Sequence, residues 1–207
     1  MQQRTSQVLY AYWNEVRGER IAPRRFDIEP AQLSGVLSET FILECEDANR
    51  ASFRLAGTKV CDSFGKEFRG SPFLELFALE DRPRLSECIE DVRRQGSVLV
   101  MEAEARAPGH AGVRFEIVLM PLVHTGTSIS RLLGSATAID PPVWLGTETL
   151  PPLDVLRQQL VWPDGRPHAI AEKFRNQPAL IPELAGARIV RVNRRSFRVL
   201  DGGLANE

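Results

Sequence analysis

The chain has no apolar run approaching the roughly 20 residues that cross a bilayer. Its opening stretch, MQQRTSQVLYAYWNEVRGER, lacks the uninterrupted apolar centre of a secretory signal. A soluble, cytoplasmic protein without a membrane span is therefore expected. Histidine and cysteine are scarce, with three of each. His110, His124 and His168 pair with no other histidine or cysteine at metal-ligand spacing, so no metal site is expected. Cys45, Cys61 and Cys88 are odd in number, widely spaced and form no CxxC. They read as reduced, mostly buried thiols and not as a disulfide framework. An excess of one charge is missing too: 26 basic residues stand against 27 acidic ones. No net pull toward nucleic acid or anionic membrane follows. Only Lys59, Lys66 and Lys173 are lysines, a bias of coding and not of function. Phosphate-cradling loops of the GxxxxGK[ST] or GxGxxG kind are absent. No Ser-His-Asp or Cys-His set can be assembled without choosing residues freely. Glu102 and Glu104 share a strand face but read as solvated surface. No catalytic residue is assigned, and the chain is expected not to be an enzyme.

What is present suits one globular domain with a tail: 207 residues, 43% of them hydrophobic. Val8, Leu9, Tyr12, Trp13 and Val16 recur at helical spacing and form one apolar stripe. That stripe either caps the domain's own core or serves as a homodimer or partner surface, since it must be covered by something. Pro23 and Pro30 end the helix, and residues 1–30 form a helix and connector. Two strands follow, Phe41 to Cys45 and Ser52 to Ala56, joined by a polar turn. Val60, Cys61 and Phe64 then sit at helical spacing, and Phe73, Leu76 and Phe77 make a short apolar face. Asp81 is placed to cap the next helix, which buries Leu85, Cys88, Ile89 and Val92 and stops at Arg93, Arg94 and Gly96. Three more strands run from Val98 to Ala107, Val113 to Val123 and Arg131 to Ile139. Gly134, Ala136 and Ala138 keep one face of the last strand small, which leaves room above the sheet.

Eight of the 14 prolines lie between Pro141 and Pro182. The segment 143–207 accordingly reads as a Pro-rich, largely flexible tail after a core spanning 31–142. Arg188 to Val192 alternates as a strand or a recruited peptide would. Arg191, Arg194, Arg195 and Arg198 read as a solvated tail, or as a contact for acidic partners or RNA.

Several stretches look familiar together. Gly57 to Gly70 resembles the PAS-domain segment in which the second strand runs into short helices. Leu79-Glu80-Asp81-Arg82 resembles the acidic turn before the long PAS helix. Met120-Pro121-Leu122, Gly126 and Leu133 to Thr137 resemble the last two PAS strands and their turn. More narrowly, Trp13, Pro23 to Pro30, Phe53 to Thr58 and Arg131 to Gly134 resemble the bacterial PAS_5 family, over about residues 8 to 142. The resemblance implies an α+β fold: a five-stranded antiparallel sheet with short helices on one face, preceded by an amphipathic helix. It implies a sensory or regulatory role in signalling, through a protein partner or through a small molecule held between sheet and helices. Phe53, Leu55, Val60, Phe64 and Phe73 would line that space, together with Phe77, Leu85, Ile89, Ile117 and Leu119. Pockets of this kind are mostly apolar, but the competing and somewhat favoured reading is that the same side chains simply fill the core, since large aromatic rings tend to close a void. No cofactor is expected. The run Val60 to Phe64 lacks the residues that flank the reactive cysteine of light-sensing relatives, and the long helix carries no histidine for haem. Pro141 argues against a rigid helical exit to an output module.

Overall fold

Alternation of apolar and polar residues decides the sheet, and glycine and proline decide where it stops. The computed structural model describes residues 1–176. Helix α1 (Arg4–Arg17) ends at Gly18 and is followed by a connector of three 3-10 turns. Strands β1 (Thr40–Cys45) and β2 (Ala51–Ala56) form a hairpin, and α2 (Thr58–Phe64), a 3-10 turn at Phe73–Leu76 and α3 (Arg82–Gln95) follow. Strands β3 (Val98–Ala105), β4 (Val113–Val123) and β5 (Ile129–Ile139) form a meander. The chain then crosses to a further strand, β6 (Asp154–Val161), and α4 (His168–Asn176) is the last of the described elements.

The architecture is α+β. The strands lie in the order β2-β1-β5-β4-β3-β6, every pair antiparallel. Five of them fall within two residues of where alternation placed them. The sixth corrects the expected five-stranded count, and it comes from the segment assigned to a largely flexible tail. β6 pairs with β3 from Val98↔Val161 to Glu104↔Asp154. Leu153, just before it, is fully buried and bonds through its backbone to Leu76 and Ala78. Asp81 holds the strand from the other side. It stands at the start of α3, yet its side chain makes no cap and its carboxylate accepts from the Val155 N–H at 2.8 Å. The stretch Arg188 to Val192 and the four tail arginines lie outside the described residues.

Residues 141–153 cross the helical face to reach β6. Thr149 Oγ1 donates to the Gly65 carbonyl and the Leu150 N–H to that of Phe64. Gly65 closes α2 with φ +63°, where a side chain would be strained, and a Cβ there would sit 2.9 Å from the Glu148 carbonyl oxygen. α2, α3 and the Phe73–Leu76 turn cover one face of the sheet, and α1 with its connector packs on the other, over β4 and β5.

Candidate functional site

The space between the sheet and its helical roof is where a small ligand would lodge, and phenylalanine rings occupy it. Phe41, Phe53, Phe64, Phe68, Phe73, Phe77 and Phe115 are all buried there. They form one connected cluster, with centroids from 4.6 Å for Phe53–Phe68 to 5.9 Å for Phe41–Phe73. Such tilted and edge-on contacts are the favoured geometry for aromatic pairs. Small residues on β5 do not leave the expected room. A Cβ added to Gly134 would lie 2.3 Å from the Phe41 ring, so that ring already fills the gap.

Nine of the ten residues expected to line this space are buried: Phe53, Val60, Phe64, Phe73, Phe77, Leu85, Ile89, Ile117 and Leu119. Leu55 is not. It is 51% exposed on the opposite face of the sheet. The cause is a bulge: Ile42 pairs with Leu55 but Leu43 pairs with Phe53, so Arg54 is an extra residue. One extra residue reverses which face the following side chains occupy. Phe68 went unrecognised from sequence. It sits alone among Lys66, Glu67 and Arg69 with no periodic partner, yet it is fully buried against Phe53 and Phe64.

The stripe on α1 resolves in the same way. Leu9 and Trp13 are fully buried against the chain's own sheet, which removes them as an interface between proteins. The Trp13 indole N–H donates to the Pro121 carbonyl at 2.9 Å. Val8 is 38% exposed, and Tyr12 and Val16 are half-buried beside it. The Tyr12 hydroxyl accepts from the Glu29 N–H at 2.8 Å.

Three further ties fix the helix. At its start, both oxygens of the buried Glu116 carboxylate accept backbone N–H groups, from Gln2 at 2.6 Å and Gln3 at 3.0 Å. A negative group there also suits the helix dipole. Glu39 accepts from Thr5 of α1 and from Thr137 of β5. At its end, the buried Arg17 reaches Asp164 at 3.1 Å, beyond β6. Arg20 donates to the Asp27 carboxylate, and that bond holds the acid below its ordinary range.

Titratable groups with chemical potential are muted. Burial pushes the Cys45 thiol up to about 12, and burial also raises those of Cys61 and Cys88. All three are therefore thiols and not thiolate nucleophiles at neutral pH. The Gln158 side-chain amide donates to Cys88 Sγ at 3.3 Å. Among the described residues no three His, Cys, Asp or Glu side chains are grouped to hold a metal ion, and no helix is long and apolar enough to cross a membrane.

Comparison with known proteins adds a family and little else. The model of PAS_5, a PAS domain, matches residues 1–137. No curated protein sequence matches the chain. Among solved structures, the crystal structure of the Rhodobacter sphaeroides LOV protein is 12% identical, with a TM-score of 0.41 over 56% of this chain and 71% of that one. The family match alone carries weight here.

Proposed function

The chain belongs to the PAS_5 family of PAS domains, a sensory class, and we propose that it is a non-catalytic regulatory module of bacterial signalling that works in the cytoplasm through protein–protein contact, including contact with a second copy of itself. The observation that supports this reading is the contrast between the two faces of the sheet. The ring cluster packs the volume under the helices, while on the other side Leu55 of β2, Phe26 of the connector and Val8 of α1 are left in solvent. A regulator whose interior is filled by its own side chains must signal by what it binds at its surface. The raised thiols fit a role without covalent chemistry.

In this reading the exposed side of α1, with Val8 at its centre and Tyr12 and Val16 beside it, is the self-contact. Native mass spectrometry of the gently purified chain tests it by reporting bound small molecules and subunit number together. A dimer of bare chains that Val8→Asp dissociates is the expected result. A stoichiometric apolar small molecule on the purified chain would overturn the reading and favour a ligand sensor instead.

A further inference from the structure

The outer sheet face holds a groove that α1 does not cover. It lies between the connector and the β1–β2 hairpin and measures about 420 Å³, within the range of roughly 300–1,000 Å³ typical of binding clefts. Its floor is aliphatic, made by Ile42 and the outward-turned Leu55. Four guanidinium groups surround that floor: Arg25 from the connector, Arg54 at the bulge, Arg69 after α2 and Arg131 from β5. Glu67 is the one carboxylate in the lining.

The positive charge is poorly balanced. Arg54 and Arg131 share a single carboxylate, Glu44, at 3.6 and 3.5 Å. Both contacts are long for a charge-assisted hydrogen bond. Arg25 and Arg69 make no ion pair among the described residues, although the chain as a whole carries a formal charge of −1. Arg131 adds a second signal. Its side chain is only 12% exposed, and among the described residues its buried Nε finds no acceptor. A buried donor without an acceptor carries a desolvation cost, which leaves this guanidinium less than fully satisfied among the described residues.

We propose that this groove binds an acidic, amphipathic segment of a partner protein, with carboxylates on the four arginines and an apolar side chain on Leu55. Arginine presents a planar fork that matches a carboxylate, and the aliphatic floor distinguishes a peptide from a simple anion. The Arg54 bulge makes the site: it turns Leu55 out of the core and places a guanidinium beside it. This inference rests on the interaction reading above and names the chemistry of its partner.

The test uses the full chain and a short fluorescein-labelled peptide of glutamate, leucine and alanine, followed by fluorescence anisotropy at low and moderate salt. The acidic peptide binds, its affinity falls with salt, and a lysine-for-glutamate version does not bind. The double variant Arg25→Glu/Arg69→Glu weakens binding by about tenfold or more, since it reverses two unpaired rim charges. Leu55→Ser weakens it several-fold. All three positions are at the surface, so circular dichroism and melting of both variants match the parent. Absence of binding, or binding that the double variant does not weaken, overturns the proposal. So does an oligonucleotide or inorganic phosphate that competes as well as the peptide, or a dimer that the double reversal dissociates, which would assign the groove to a second copy. The preceding reading fails on a bound small molecule in native mass spectrometry and this one on anisotropy, so the two failures are separable.

Discussion

Truncating Phe53 to alanine distinguishes a filled interior from a cavity poised for a ligand. The ring is 1% exposed and lies 5.3, 4.6 and 5.7 Å from the rings of Phe41, Phe68 and Phe73. Removing a buried phenylalanine costs about 3–5 kcal/mol, and the cost rises with the void that remains. The upper half of that range applies here. The three neighbouring rings hang from different elements, β1, the loop after α2 and the Phe73–Leu76 turn, so they cannot close in together. With a urea slope of about 2 kcal/mol per M, the unfolding midpoint falls by about 2–2.5 M. Phe26→Ala is the control: that ring is 76% exposed, and its loss shifts stability by about 0.5 kcal/mol at most. The new void is apolar and stays dry, so benzene raises the melting temperature of Phe53→Ala and leaves the parent unchanged. A loss below about 1 kcal/mol, or a parent chain that benzene stabilises equally, would refute the argument, because Phe53 would then border a space that already existed.

Three other outcomes follow from the same geometry. Glu116→Ala strips two charge-assisted acceptors from the start of α1. It destabilises by about 1–2 kcal/mol and speeds amide exchange in the first turn of that helix before anywhere else. Gly134→Val drives a side chain into the Phe41 ring and costs about 1–3 kcal/mol or more, read as a lower urea midpoint with an unchanged slope. Cys45 gives a pH signature. Its folded pKa lies above the ordinary value, so the native state keeps a proton that the unfolded chain releases. Its contribution to stability is whole below about pH 9 and is lost as pH rises toward 12. Cys45→Ala flattens that alkaline decline in urea titrations, and native Cys45 resists iodoacetamide at pH 8.

How far the sequence could be read depends on how local the deciding contact is. Strands β1 to β5 and helix α3 carry their own periodicity and stops, and all lie within about two residues of where the sequence alone places them. β6 does not, because Asp154 to Val161 includes Arg157, Gln158 and Gln159 and its flanks are proline-rich. Its order comes from pairing with β3, about 55 residues earlier in the chain, which no local pattern reports. Leu55 shares the parity of Phe53 and was placed inside, but a bulge cannot be seen without the partner strand. The stripe on α1 was clear, whereas its occupant, the chain's own sheet, was one of two equal readings. Phe68 and the capping role of Glu116 depend wholly on contacts distant in sequence.

The path of residues 141–153 across the helical roof imposes an order on assembly. This segment bonds to the end of α2 and to the Leu76–Ala78 backbone, so its anchor points exist only once that side of the molecule has formed. β6 is an edge strand held through that path, and its departure would open the side of β3. A chain in which β6 has not yet docked carries that bare flank, and an unpaired strand edge of this kind is where two chains are prone to pair with each other instead.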